Sequence, residues 1–205
     1  MAHQHDWDRR YEGTDRLFST EPDQALVDLA GSLRPGRALD LGAGEGRNSL
    51  WLARRGWRVT AVDLSGVALS RLAQDAAAEG LVIDIVAGDM GEYLARGARF
   101  DLVVVANLHP SAVERARLLA AAAEAVAPGG HLFLVGHHLD SLGRAGPPDP
   151  ERLYTESRLV GAFPGLELLR LERLERRRGD LDTSLVDVVA WATRPARVGS
   201  DDGEP

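Results

Sequence analysis

Residues 38–49 read Ala38-Leu39-Asp40-Leu41-Gly42-Ala43-Gly44-Glu45-Gly46-Arg47-Asn48-Ser49: a short apolar run with one carboxylate, glycine at three alternate positions, then polar residues suited to a helix start. Four residues with little polar character are what a strand covered on both faces requires, as in a parallel sheet. Alternate glycines let the chain turn sharply and let a ligand approach where a β-carbon would stand. Strand, glycine turn and helix in succession form the opening unit of a doubly wound α/β sheet, whose ligands sit at the carboxyl ends of the strands. The spacing narrows the ligand. A dinucleotide fingerprint, Gly-x-Gly-x-x-Gly, needs its third glycine at position 47, where Arg47 stands. A phosphate-binding P-loop needs a lysine, and the chain has none.

Outward from this stretch, short Leu- or β-branched-rich runs alternate with helical periodicity, the pattern of parallel strands joined by crossover helices. The runs predict strands at Ala38–Leu41, Arg58–Val62, Val82–Val86, Phe100–Val105 and His131–Gly136. Asn48–Arg55 reads as a helix stopped by Gly56. Ala68, Leu69, Leu72, Ala73 and Ala76 form a helical stripe behind Ser65 as N-cap. Ser111 and Glu114 make a capping box ahead of an alanine- and leucine-rich helix, which Pro128-Gly129-Gly130 is expected to end. Leu142–Pro150, with three prolines and two glycines, reads as a loop over the carboxyl edge of the sheet. Thr155 is expected to cap a short helix reaching about Phe163, and Leu166–Arg176 with Leu185–Thr193 to form a closing antiparallel pair. The expected division is a helical cap segment at 1–36, a ligand-binding domain at 37–194 and a disordered tail at 195–205.

Composition sets the outer bounds. The chain has 205 residues, 44% hydrophobic and 27% charged. That is one globular domain's worth. No run approaches a membrane span, and the polar start Met-Ala-His-Gln-His-Asp lacks the features of a signal peptide, so the expected location is cytoplasmic. The absence of cysteine excludes disulfides, thiolate metal sites and cysteine nucleophiles. All 24 basic residues are arginine, against 31 acidic ones; the net charge of −7 argues against a nucleic-acid partner, which calls for a basic patch.

Two carboxylates continue the pattern begun by the glycine turn. Val59-Thr60-Ala61-Val62-Asp63 places Asp63 at the end of the second strand, beside the turn, where a carboxylate accepts from both hydroxyls of a ribose. Val86-Ala87-Gly88-Asp89-Met90 places Asp89 just past the third strand on the same rim, within reach of an exocyclic adenine amine. Their order and their positions at strand ends are those of a nucleoside site.

Asp40 to Gly46, then Asp63, then Gly88-Asp89-Met90, resemble the first three motifs of class I S-adenosylmethionine-dependent methyltransferases, over roughly residues 7 to 194. The resemblance implies a Rossmann-like, mostly parallel seven-stranded sheet ending in an antiparallel hairpin, with helices on both faces. It implies S-adenosylmethionine as cofactor and S-adenosylhomocysteine as product. Gly42, Ala43 and Gly44 would approach the methionyl part and Asp40 orient its amino group. Asp63 would hold the ribose, Leu64 pack on the adenine, and Asp89 with the Met90 amide read the adenine edge; Asn48, Gly88 and Ala106 complete the set. Trp7-Asp8-Arg9-Arg10-Tyr11, Phe18-Ser19, Pro22 and Gly46-Arg47-Asn48-Ser49 further resemble the small bacterial tellurite-resistance and thiopurine-type methyltransferases, in which the amino-terminal segment folds over the cofactor. This makes Trp7, Arg10 and Tyr11 lid candidates; Trp7 and Tyr11 equally fit the apolar face of a packing helix.

Methyl transfer from a sulfonium is an in-line displacement, so the protein mainly positions the reactants and excludes water. An oxygen or protonated nitrogen acceptor also needs a base. Asn107 and His109 after the fourth strand, and His137 and His138 after the fifth, are the candidates for that edge, histidine being the side chain that titrates near neutrality. No metal is expected from His137-His138-x-Asp140, because neighbouring residues of a strand point to opposite faces and no third ligand is evident. The expected partner is a small acceptor bearing a thiol, metalloid, hydroxyl or amine, without nucleic acid or membrane, and the sequence does not decide between monomer and homodimer. A non-catalytic S-adenosylmethionine- or nucleoside-binding regulatory module is the alternative.

Overall fold

The computed structural model describes residues 4–177 and 184–196. Seven strands form one sheet: β1 (Arg37–Leu41), β2 (Arg58–Asp63), β3 (Ile83–Ala87), β4 (Phe100–Ala106), β5 (Val126–His137), β6 (Glu167–Arg177) and β7 (Ser184–Thr193). Their order is β3-β2-β1-β4-β5-β7-β6, parallel from β3 to β5, with β7 antiparallel to both β5 and β6. The expected sheet with its closing hairpin is therefore present. The chain leaves β1 toward β2 on one side and reaches β4 on the other, so the strand order reverses at β1, where an open α/β sheet forms its ligand crevice.

Strand periodicity divides the core. Leu39, Leu41, Val103, Val105, Leu132 and Leu134 face one layer with α6 (Ala112–Glu124). Ala38, Leu102, Val104, Phe133 and Val135 face the other, against α2 (Gln24–Ala30), α3 (Arg47–Arg54), Trp57 and Trp191. Beside it, Leu69, Leu72 and Ala76 of α4 (Gly66–Ala78) pack on Leu50 and Ala61, the stripe expected from their spacing. Ser65 caps α4 through Ala68 N–H, and the Ser111–Glu114 capping box is formed. No helix among the described residues is long and apolar enough to cross a membrane.

Three expectations change. The helix α6 stops at Glu124, ahead of Pro128-Gly129-Gly130, because the Phe100 N–H already bonds to Ala125 O and Val126 pairs with Phe100; the glycines instead form an irregularity within β5. Sheet pairing overrides the helix preference of the alanine run. The helix after Thr155, α7, spans only Glu156–Leu159, since Val160 is extended and Gly161 takes φ +74°. A short helix α5 (Met90–Leu94), capped by Asp89, adds to the expected elements. The amino-terminal segment carries α1 (Gln4–Glu12) and α2. Of the expected tail, residues 197–205 lie outside the described residues.

Candidate active site

The glycine turn is built by three left-handed backbones, Gly42, Gly44 and Gly46, at φ +68°, +56° and +83°. It is tied to β2: the N–H groups of Gly42 and Ala43 both donate to Val62 O, at 2.8 and 3.1 Å. Asp63 closes the arrangement. Its Oδ2 accepts from Gly44 N–H and its Oδ1 from Ser65 N–H, each at 2.8 Å. Burial raises the Asp63 carboxyl against the opposing pull of these backbone donors. Each oxygen retains acceptor capacity for a hydroxyl of a bound ligand. Asp40 lies beneath the turn, 2% exposed, where its Oδ2 accepts from Ser49 Oγ at 2.7 Å; burial pushes its carboxyl up to about 6.

The amino-terminal segment covers this turn. A β-carbon on Gly44 would stand 2.8 Å from the Tyr11 hydroxyl, and burial, then the charges of Asp63 and Glu45, push that phenol well above its ordinary value. Trp7 and Tyr11 are ring neighbours at 6.2 Å, and the Arg10 guanidinium lies over Trp7, 4.6 Å from its centre. A cation so placed is attracted by the face of the indole. Four side chains anchor the segment. Asp8 accepts from Ser65 Oγ at 2.6 Å and Val67 N–H at 3.3 Å. Glu45, inside the turn, accepts from Leu17 N–H at 3.1 Å and pairs with Arg71 at 2.7 Å, while Arg71 also donates to the carbonyls of Tyr11 and Thr14. Asn48 Oδ1 accepts from Asp23 N–H at 2.9 Å, which fixes the entry to α2.

At the other end of the crevice, Gly88 N–H donates to Asp63 O at 2.9 Å, which brings Gly88, Asp89 and Met90 beside half-buried Leu64. Asp89 Oδ1 accepts from Glu92 N–H at 3.0 Å as the cap of α5.

The edge beyond β4 and β5 gathers the histidines. Ala106 ends β4, and Asn107 holds φ +56°, the one non-glycine residue with positive φ among the described residues. Asparagine is among the few residues that tolerate this region. Leu108 lies against the turn, its Cδ2 2.3 Å from the place of a β-carbon on Gly42. His109 stacks on His137, ring centres 5.0 Å apart and planes 10° from parallel. His109 Nδ1 donates to Arg152 O at 3.2 Å and Nε2 accepts from His137 N–H at 3.4 Å, so both nitrogens are held by backbone. Burial, then the neighbouring His137, lowers its pKa to about 4. His138 is likewise committed: Nδ1 accepts from Asp140 N–H at 2.9 Å and Nε2 faces Glu156 at 3.2 Å.

His137 differs. Its Nδ1 is 2.8 Å from Asp187 Oδ1, while Nε2 has no hydrogen-bond partner among the described residues. Asp187, 2% exposed, pairs directly with His137 across β5 and β7, and its second oxygen accepts from Arg176 Nε. Burial would raise this carboxyl, but the bonds from His137 and Arg176 outweigh it and hold it below its ordinary value. His137 and His138 thus bind different carboxylates. No group of three or more His, Asp or Glu side chains suited to a metal ion occurs among the described residues.

Residues 38–130 match the family model described as a methyltransferase domain, and they hold the glycine turn, Asp63, Asp89 and Asn107. Over these residues the chain is similar to the methyltransferase domain of S-adenosylmethionine-dependent enzymes. It is 36% identical over 109 residues to ribosomal RNA small subunit methyltransferase C of Alcanivorax borkumensis, covering 51% of this chain and 33% of that protein. It is 37% identical over 99 residues to a ubiquinone biosynthesis O-methyltransferase of Caulobacter sp., covering 48% and 39%. The matched part thus spans little more than a third of these relatives' length. The crystal structure of TehB from Haemophilus influenzae shares the fold, with TM-score 0.72 and 21% identity over 93% of this chain and 66% of that one.

The methyltransferase domain fits its cofactor, S-adenosylmethionine. Asp63 presents two carboxylate oxygens at the end of β2, each with acceptor capacity left beyond its backbone donor. Sequence reading missed Asp8, Glu45 and Arg71, whose partners lie far along the chain, and Asp187. Asp187 did carry a signal: it is a lone carboxylate in the otherwise apolar run Leu185–Trp191, where a charge is retained only if it is paired.

Proposed function

We propose that the chain methylates a small acceptor whose reacting atom carries a proton, a hydroxyl or an amine, with His137 as general base. The observation that carries this is the His137–Asp187 pair. A carboxylate on Nδ1 holds that nitrogen protonated and leaves Nε2 with a lone pair directed away from it. His109 stays neutral at working pH, so it adds no positive charge beside His137. A chain of contacts links base and cofactor turn: Leu108 touches Gly42, its neighbour His109 stacks on His137, and Tyr154 Oη donates to Leu108 O at 2.7 Å.

Bound S-adenosylmethionine supplies a methyl carbon on a sulfonium whose sulfur leaves as a neutral thioether, so no protein acid is required. His137 Nε2 would take the proton from the acceptor's oxygen or nitrogen, which leaves that atom's own lone pair free to receive the methyl group. Asn107, with a side-chain amide that has no partner among the described residues, would orient the acceptor. Trp7, Arg10 and Tyr11, with the segment up to residue 36, act as the cap that keeps water from the reacting atoms. A thiolate or metalloid anion needs no base and makes no use of this pair. The acidic net charge supports a small acceptor over nucleic acid.

The test is a screen of phenols, alcohols, amines and thiols for S-adenosylhomocysteine release, with His137→Gln alongside. A hydroxyl or amine product whose formation slows roughly 10²–10⁴-fold in the variant, with cofactor affinity unchanged within a few-fold, supports the reading. Turnover confined to thiols and indifferent to His137→Gln would overturn it. Binding of S-adenosylhomocysteine with no turnover on any acceptor would turn the assignment to the non-catalytic module.

A further inference from the structure

β6 ends the sheet, with β7 on one side and no neighbour on the other among the described residues. The backbone groups it turns to that open side follow from the bonds of β7. His138 N–H donates to Val186 O at 2.9 Å and Arg194 N–H to Gly130 O at 3.0 Å, so even-numbered residues of β7 direct their backbone to β5 and odd-numbered ones to β6. The odd residues of β7 oppose Arg170, Glu172, Leu174 and Arg176. Opposed residues of an antiparallel pair bond to each other or both point away, which leaves Leu171, Arg173 and Glu175 with N–H and C=O directed out of the sheet. These groups bond to no other element among the described residues. Such a row of free donors and acceptors is a template for another strand.

We infer that β6 pairs with β6 of a second copy of this chain, antiparallel about a two-fold axis at Leu174, so that the two sheets become one. Charge complementarity selects the occupant. Across a two-fold axis a strand meets its own reverse, and Glu172-Arg173-Leu174-Glu175-Arg176 meets its reverse with every charge against its opposite. Glu172 faces Arg176 of the second copy, Arg173 faces Glu175 of the second copy, and Leu174 faces its equivalent. Opposite charges directly across a pair of strands are favourable and like charges unfavourable. The other registers lose this match. Opposed residues must direct their backbones alike, so the axis passes through a residue, and an axis at any charged residue sets that charge against itself. An axis at Leu171 runs the pairing into the irregularity between Leu168 and Arg170. The charges are available for the contact. Glu175 is exposed and has no cationic partner among the described residues. Arg173 and Arg176 hold Asp140 and Asp187, yet their side chains are 44% and 46% exposed, and a guanidinium has five N–H donors with which to take a second carboxylate.

The experiment is sedimentation velocity on the full chain from about 1 µM to about 1 mM, at low and high salt. A monomer–dimer equilibrium that weakens as salt rises is the expected result. Glu175→Arg and Arg173→Glu each set two like-charge pairs across the axis, and each should weaken dimerisation about tenfold or more. An equimolar mixture of the two variants should recover the dimer, because the mixed pair again opposes Glu to Arg at both places. A variant that failed to fold would not recover in this way. Glu167→Arg makes the same change of charge outside the matched segment and should dimerise as the parent does. A monomer at every concentration would mean that the charges only keep the edge from pairing, and would overturn the inference. A dimer indifferent to both variants would place the contact elsewhere and overturn it equally, and weakened dimers without recovery on mixing would overturn the register.

Discussion

The Tyr11 hydroxyl lies 2.8 Å from the point that a β-carbon on Gly44 would occupy, so the covering helix and the cofactor turn meet at van der Waals limits. Gly80 serves as a control for this contact: it has a similar backbone, φ +67° against +56°, with nothing within 4 Å of its β-position. Alanine at either site should cost about 1–2 kcal/mol for the left-handed conformation. Only Gly44→Ala should also displace α1. The expected outcome is faster tryptic cleavage at Arg9 and Arg10 and weaker S-adenosylhomocysteine binding in Gly44→Ala, with Gly80→Ala unchanged in both. Equal behaviour of the two variants would show that Tyr11 does not bear on the turn.

Asp63 holds the turn through Gly44 and Ser65, and the proposed site also gives it the ribose. Asp63→Ala removes both functions and should weaken S-adenosylhomocysteine binding by about 1.5–3 kcal/mol, or roughly 10- to 150-fold. Asp63→Asn keeps one acceptor oxygen for either Gly44 or Ser65 N–H and should lose less. Calorimetric titration of both variants checks the order; affinity unchanged in a folded Asp63→Ala would remove the residue from the ribose site.

Fold and cofactor end were legible in the sequence because local signals carry them. Gly42-Ala43-Gly44-Glu45-Gly46 demands a turn wherever it occurs, and Asp63 follows a strand whose period is visible in Val59, Ala61 and Val62. The acceptor edge was less legible. His109, His137 and His138 look alike as residues, and their difference lies in partners brought from elsewhere: Arg152 for His109, Glu156 for His138, Asp187 for His137. The Glu45–Arg71 pair that anchors the cap joins positions 26 residues apart, through a turn whose x positions the motif leaves open. The end of α6 departs from its local signal for a related reason: the alanines favour helix to residue 127, and pairing of Val126 with Phe100 stops it.

If His137 is the base, as proposed, Asp187 acts through it as a positioning residue. Asn at 187 can present its amide N–H to Nδ1, which would leave Nε2 protonated and unable to accept. Asp187→Asn should therefore lower kcat with little change in KM or in cofactor affinity, and Asp187→Glu should recover part of the rate if it reaches Nδ1. The imidazole ¹⁵N shifts of His137 supply a readout independent of turnover, moving from the Nδ1–H to the Nε2–H tautomer in Asp187→Asn. A variant with unaltered tautomer and rate would show that the pair only supports the sheet.

Two buried groups near the site give opposite pH dependences of stability. Burial lowers His109 from 6.5 to about 4, so between these values the unfolded chain binds the extra proton and stability rises with pH. Burial raises Asp40 from 3.8 to about 6, so across nearly the same interval the folded chain binds the extra proton and stability falls with pH. At about 1.36 kcal/mol per pKa unit each contribution is on the order of 3 kcal/mol, and in the parent protein the two nearly cancel. Removing one exposes the other. Relative to the parent, His109→Gln should lose stability as pH rises from about 4 to about 6.5, and Asp40→Asn should gain it over the same interval. Urea unfolding at several pH values measures both slopes. Parallel pH profiles for all three proteins would show that neither group is shifted by its burial.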